Sequence, residues 1–171
     1  MSFIRTASAA LVLAFVSSTT SATAPNTTAA NAVSYEVGQG WVSHYIEETT
    51  QNRWFKFTTT GGRGYCVEAA QGSDSPVAFN PNVTVYGDAA GTSLMGSNDN
   101  GAFDPAMTLG SRYCFADTTT LDTRTIRTIK LNVPVAAGSG DNGYMRLRVY
   151  ETTFAGSFQW YSYPSDPNNY Y

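Results

Sequence analysis

The chain has 171 residues, a length typical of one domain, with 10 basic and 13 acidic side chains and a net charge of −3. A mildly acidic chain without clustered lysines and arginines is unsuited to nucleic acid, because neutralising phosphates requires grouped cations. One histidine and two cysteines that can pair with each other also argue against a zinc site.

Residues 1–24 have the pattern of a secretory signal peptide. Arg5 supplies the positive charge, residues 7–16 form an apolar run, and Ala22-Thr23-Ala24 is a candidate cleavage site, with Ala22 or a point nearer Ala30 left open. The apolar run is shorter than the ~20 residues that a membrane-spanning helix needs. We therefore expect no membrane span, with an N-terminal anchor as the alternative. The protein would be secreted, at the cell surface or in the periplasm, where disulfides persist.

Residues 25–34 are rich in Ser, Thr, Ala and Asn, a composition that predicts a disordered lead-in. Over residues 35–163, short runs of β-branched and aromatic residues alternate with Gly, Asn and Asp clusters, which predicts an all-β domain with minimal helix. About nine strands with tight turns predict a two-sheet antiparallel β-sandwich with jelly-roll or Greek-key connections. Residues 164–171 are expected to form an exposed aromatic tail. The predicted strands lie near 41–46, 53–60, 64–70, 82–86, 92–97, 111–117, 125–133, 143–151 and 156–163.

Two similar segments, 64–68 and 112–116, carry the two cysteines, Cys66 and Cys114. Side chains alternate along a strand, so antiparallel pairing with the cysteines opposite each other places Glu68 opposite Arg112. A parallel register would lose this charge pair. The pattern predicts adjacent antiparallel strands joined by a disulfide.

The strand near 143–151 has the clearest alternation. Its apolar side chains belong in a core, whereas Tyr144, Arg146, Arg148 and Tyr150 lie on the other face. Aromatic and arginine side chains are enriched at interfaces, so we interpret these four residues, together with Trp160, as a candidate binding surface. The alternative is that the tyrosines cover sheet edges and that Trp160 belongs to the core.

No catalytic arrangement is recognisable, and we expect a protein that is not an enzyme. A Ser-His-Asp triad would have to use His44, and no Gly-x-Ser-x-Gly motif accompanies it. His44 shares its side of a strand with Val42 and Ile46. We interpret it as a partly buried structural residue.

Asp and Asn residues recur around one loop and supply the oxygen atoms that calcium prefers. Turn formation is the alternative role, because Asn and Asp bond their own backbone in turns. No other cofactor is expected. The candidate metal ligands are Asp88, Asn98, Asp99, Asn100 and Asp104.

Four segments follow one another in a distinctive order: Arg53-Trp-Phe-Lys-Phe57, Asn82-Val-Thr-Val-Tyr-Gly-Asp-Ala-Ala-Gly-Thr92, Ser97-Asn-Asp-Asn-Gly101 and Gly143-Tyr-Met-Arg-Leu-Arg-Val-Tyr150. In this order the chain, from about Tyr35 to Thr153, resembles the bacterial pre-peptidase C-terminal (PPC) domain, a secreted jelly-roll-like β-sandwich. The resemblance implies a non-catalytic accessory module, and some members of that family bind calcium. Arg53 and Asn82 stand where the family often has acids, which weakens the transfer of a calcium site.

These observations predict a secreted binding or accessory module that contacts an extracellular polysaccharide or protein through its aromatic and arginine side chains. The alternative is a cell-surface or matrix protein that self-assembles through a strand edge or the aromatic tail.

Overall fold

Nine β-strands form the regular structure of the residues that the computed structural model describes, which are 26–47, 51–72, 80–99, 110–134 and 143–152. One 3₁₀ turn, Ala29–Asn31, precedes them. No helix in these residues is long and apolar enough to cross a bilayer. The strands are β1 (Val33–Ser34), β2 (Val42–Ile46), β3 (Asn52–Thr60), β4 (Gly64–Gln71), β5 (Asn82–Tyr86), β6 (Leu94–Asn98), β7 (Gly110–Ala116), β8 (Arg124–Asn132) and β9 (Gly143–Thr152).

The strands form two sheets, with the orders β1-β3-β8-β5-β6 and β2-β9-β4-β7. Every pair is antiparallel except β1 with β3. The predicted all-β sandwich is therefore confirmed. Eight predicted strands correspond to β2–β9 within two residues at either end, and the ninth, at 156–163, lies outside the described residues.

The core lies between the two sheets and follows from the two-residue period of the strands. In β3, Phe55 and Phe57 are buried while their neighbours are partly exposed, and β9 repeats the pattern with Met145, Leu147 and Val149. The remaining apolar side chains of the core are Tyr35, Ile46, Tyr65, Val67, Ala69, Val83, Val85, Phe115, Ile129, Leu131 and Val133.

The cysteine-bearing strands pair in the predicted register. Cys66 lies opposite Cys114, and Glu68 lies opposite Arg112. The two cysteines form a disulfide with a Cα–Cα distance of 4.1 Å. The bridge joins the centre of the four-stranded sheet to its β7 edge.

The lead-in differs from its prediction, because its described part, from residue 26 onward, follows the edge of β3. The backbone N–H of Trp54 donates to the Asn26 carbonyl at 2.7 Å, and the Asn26 side-chain amide donates to the Trp54 carbonyl at 2.9 Å. Val33 and Ser34 then pair with β3 in parallel. A polar composition lacks a core of its own, but here the strand edge supplies backbone partners, so the domain begins before Tyr35. The predicted leader, 1–24, lies outside the described residues.

Candidate binding face

The outer side of the four-stranded sheet brings together the predicted Tyr/Arg residues of β9 with residues of three other strands. The register places Arg148 opposite Glu68 on β4, and Glu68 opposite Arg112 on β7. On the other side of β9, Tyr144 lies opposite Tyr45 on β2. We call this surface the arginine face. Its charged and aromatic members are Trp41, Tyr45, Glu68, Arg112, Tyr144, Arg146, Arg148 and Tyr150.

Glu68 is the centre of the arginine face. Its Oε2 accepts from Nη2 of Arg148 at 2.6 Å and from Nε of Arg148 at 2.8 Å, and the side chain is fully buried. A buried carboxylate requires an ionic partner to offset its lost hydration. The sequence placed Arg112 beside Glu68 correctly. The structure adds an ion pair of Glu68 with Arg148 on the other neighbouring strand, which the sequence did not predict.

Aromatic rings flank the guanidinium of Arg148. Its central carbon lies 4.4 Å from the centre of the Trp41 ring and 5.0 Å from the centre of the Tyr150 ring. Arg146 also approaches Trp41, at 5.5 Å. Cation–π contacts at these distances hold an arginine in one orientation. The head group of Arg148 is thus fixed by an ion pair and by two rings.

Trp41 is the main residue of this face that sequence reasoning missed. It immediately precedes β2 and shares its side of the chain with Tyr45, which alternates in the same way. This alternation was enough to assign Trp41 and Tyr45 to the same side of the strand. The sequence did not show that β2 lies beside β9, so it did not connect Trp41 with the arginines.

Tyr45 and Tyr144 form an exposed aromatic pair at one side of the face. Their ring centres are 5.2 Å apart with an interplanar angle of 59°, and the residues are 43% and 42% exposed.

Tyr150 lies towards the other end of β9. Burial raises the pKa of Tyr150, and the nearby charge of Glu68 adds to the shift. Tyr150 is therefore a neutral phenol over the physiological pH range.

The predicted calcium ligands do not form one group. In the β5–β6 hairpin, Asn98 lies opposite Val83, whereas Asp88 lies in the turn at the other end, beyond Tyr86. Five residues of strand separate the two ends by roughly 13 Å. This corrects the prediction of a single site that includes Asp88.

The Asp88 carboxylate closes its own turn by accepting from the N–H groups of Thr92 and Ser93, both at 2.9 Å. Hydrogen bonds from Thr92 are the main reason that its pKa is lowered. Asn98 donates to the carbonyl of Arg112 at 2.9 Å, and Asp99 is exposed. In the described part of the chain, no three His, Cys, Asp or Glu side chains are grouped to hold a metal.

Several predicted site residues lie outside the described residues. They are Asn100 and Asp104 of the candidate metal loop, Trp160 of the candidate binding surface, and the tail at 164–171.

His44 faces the core rather than the arginine face. Its ring centre lies 4.5 Å from that of Phe55, and its Nε2 is buried with no hydrogen-bond partner among the described residues. Burial lowers the pKa of His44 to about 4, and the charge of Arg53 adds to the shift. A histidine in this setting is a neutral packing residue at pH 7.

Both outer strands of the four-stranded sheet have a carbonyl capped by a side chain from the opposite sheet. Arg53 donates to the Tyr45 carbonyl on β2 from Nη2 at 2.9 Å and from Nε at 3.2 Å. On β7, the Arg112 carbonyl accepts from Asn98. Capped edges hinder the addition of a further strand.

Comparisons with known proteins extend only to the fold. No protein-family model matches the chain, and no curated protein matches it. Among solved structures, the chain is similar to the pre-peptidase C-terminal domain of a collagenase from Bacillus anthracis, with a TM-score of 0.48 and 7% identity over 69% of this chain and 93% of that one. It is also similar to PliG from Aeromonas hydrophila, a periplasmic lysozyme inhibitor of g-type lysozyme, with a TM-score of 0.42 and 16% identity over 71% and 96%.

The PPC domain that the sequence resembles is thus among the solved structures to which the chain is similar. At this level of identity the similarity carries no residue roles and no ligand from those proteins to this chain.

Proposed function

We propose that this protein is an exported, non-catalytic binding module whose ligand lies across the arginine face. The observation that carries the proposal is the position of Arg148, which is paired with Glu68 and lies between the rings of Trp41 and Tyr150. Binding usually costs conformational entropy for each long side chain that becomes ordered. On this face, much of that ordering already exists before a ligand arrives.

The exposed part of the face supports the same function. Tyr45 and Tyr144 present two adjacent rings to solvent, beside the arginines of β9. Tyrosine, tryptophan and arginine are the residues that most often dominate binding energy, because they combine a large apolar area with polar groups. An extracellular polymer or protein is therefore the proposed kind of partner.

Export is supported by the disulfide between Cys66 and Cys114 together with the signal-like residues 1–24. Disulfides persist mainly in oxidising compartments such as the cell exterior and the periplasm. A non-catalytic role is supported by His44, the single histidine of the chain, which packs against Phe55 and is neutral at pH 7.

Co-sedimentation of the mature protein with chitin, cellulose, peptidoglycan and collagen tests the proposal, with a polymer-free sample as the control. We expect pelleting with at least one polymer, and loss of pelleting in Trp41→Ala and Tyr144→Ala. The matched control is Ile126→Ala, which removes an exposed apolar side chain from the five-stranded sheet.

Polymer binding that survives both variants of the face, or that is lost equally in Ile126→Ala, contradicts the proposal. Pelleting without polymer would instead support self-assembly, the alternative function. The capped edges of β2 and β7 count against self-assembly by strand addition through this sheet.

A further inference from the structure

The arginine face carries a positive charge although the chain as a whole is acidic. Within its four strands, the outward-facing positions hold three arginines, Arg112, Arg146 and Arg148, and one acid, Glu68. Glu47 lies just past β2, where its charge acts on Arg53 at the edge of the sheet. Among the described residues of these four strands, the outward-facing positions therefore carry two more positive than negative charges, in a chain of net charge −3.

We propose that the ligand of this face is an extended acidic polysaccharide, a polymer whose sugar rings carry carboxylates. This inference rests on the function proposed above and specifies its ligand class. Arg146 donates to the Gln71 carbonyl from Nε, and a guanidinium that donates to a neutral carbonyl keeps its positive charge, which attracts an anion. Charge complementarity thus favours an anionic partner.

The shape of the face favours a linear polymer. Tyr144, Arg146, Arg148 and Tyr150 form one straight row along β9, and the pairing of β9 with β2 and with β4 continues without a shift in register. Alternate residues of a strand are roughly 7 Å apart, so the row extends over roughly 20 Å. A row of this length suits an extended chain with repeated charges.

The chemistry of the row fits acidic sugars in particular. The planar fork of arginine matches the geometry of a carboxylate. Sugar rings present apolar C–H faces, which pack against aromatic rings such as those of Tyr45 and Tyr144, exposed beside the arginines. Both kinds of group recur along an acidic polysaccharide.

An acidic peptide is the competing anionic ligand, and the sheet edges disfavour it. Extended peptides commonly bind a sheet by adding a strand to its edge. Here the Tyr45 carbonyl on β2 is bonded to Arg53, and the Arg112 carbonyl on β7 is bonded to Asn98. The face remains accessible to a ligand that does not require strand pairing.

Calorimetric titration of the mature protein with polygalacturonate and with its fully methyl-esterified form tests the proposal, because the two polymers share a backbone and differ in charge. We expect binding to polygalacturonate that weakens with added salt, and affinity at least about tenfold lower for the ester. Polyglutamate serves as the acidic peptide and is expected to bind at least about tenfold more weakly than polygalacturonate.

Arg146→Gln and Lys56→Gln form a matched pair, since each removes one positive charge and Lys56 lies on the outer side of the other sheet. We expect Arg146→Gln to lower the affinity for polygalacturonate about tenfold and Lys56→Gln to change it less than about twofold. Arg146→Lys should fall between the parent protein and Arg146→Gln, because it keeps the positive charge but loses the planar fork. Equal urea midpoints of the variants and the parent protein exclude misfolding as the cause.

Any of three results would overturn the proposal that the ligand is an acidic polysaccharide. These are equal losses of affinity in the two glutamine variants, equal affinity for polygalacturonate and its ester, and tighter binding of polyglutamate than of polygalacturonate. If a neutral polymer binds and Tyr144→Ala abolishes that binding, the binding function stands and the ligand class is wrong. If no polymer binds, or if neither Tyr144→Ala nor Arg146→Gln lowers the affinity, the proposed function itself is wrong.

Discussion

Asp117 and Arg127 form a buried ion pair at the end of the sandwich, where Nη2 of Arg127 lies 2.8 Å from Oδ2 of Asp117. Their side chains are 0% and 9% exposed, and Thr59 also donates to the carboxylate. Arg127 in turn donates to the Gly87 carbonyl at 2.7 Å. The pair therefore connects the end of β7 to β8 and to the β5–β6 turn.

Replacing Asp117 with Asn should destabilise the fold strongly. The substitution leaves the Arg127 guanidinium buried without its counter-ion, and breaking a buried pair in this way costs about 3–5 kcal/mol in unfolding free energy. Glu151→Gln is the control, because it breaks the exposed Arg63–Glu151 pair, whose side chains are 50% and 46% exposed, and should change the free energy of unfolding far less. Urea denaturation measures both, and equal effects would show that burial of the Asp117 pair is unimportant.

Asp117 should also make the fold sensitive to strong acid. Burial works to raise the pKa of Asp117, but hydrogen bonds from Thr119, Thr59 and Arg127 hold it at about 2. Because the folded-state pKa lies below the unfolded value, the stabilisation is complete above about pH 4 and is lost as pH falls towards 2. The loss amounts to about 2 kcal/mol. Urea midpoints between pH 2 and pH 5 should fall less in Asp117→Asn than in the parent protein.

His44 should make the free energy of unfolding depend on pH in a second range, closer to neutral pH. Its pKa of about 4 in the folded state lies below the usual 6.5, so protons bind the unfolded chain first as pH falls. The stabilisation is present above pH 6.5 and is lost between about pH 6.5 and pH 4, by up to about 3 kcal/mol. His44→Leu should remove this dependence while leaving the change below pH 4 in place. An identical pH profile in the variant would refute the assignment.

Glu68 and Arg148 should be energetically coupled. Glu68→Gln keeps the shape of the side chain but leaves Arg148 facing an uncharged partner, and we expect a loss of about 2–4 kcal/mol in unfolding free energy. A double-mutant cycle with Arg148→Met measures the coupling, which should exceed about 1.5 kcal/mol. Additive effects of the two substitutions would mean that the ion pair contributes nothing beyond packing.

Local alternation was enough to predict much of this protein. Because successive side chains of a strand point to opposite sides, the sequence alone separated Met145, Leu147 and Val149 from the Tyr/Arg residues of β9. The same rule predicted that Glu68 lies opposite Arg112 once the cysteines are paired. Short segments of sequence were therefore enough to predict the strands β2–β9, the two-sheet sandwich and the side of β9 that faces outward.

Apart from β4 and β7, which the two cysteines identify as neighbours, the order of the strands was decided only by the tertiary structure. Trp41 and Arg148 are far apart in the chain and meet because β2 pairs with β9, and Glu68 reaches Arg148 because β9 also pairs with β4. Asp88 and Asn98, close in sequence, are separated because the hairpin between them places them at opposite ends. Side-chain periodicity is a property of a few consecutive residues, whereas strand order depends on how the whole chain buries its apolar faces, and the arginine face is a product of that order.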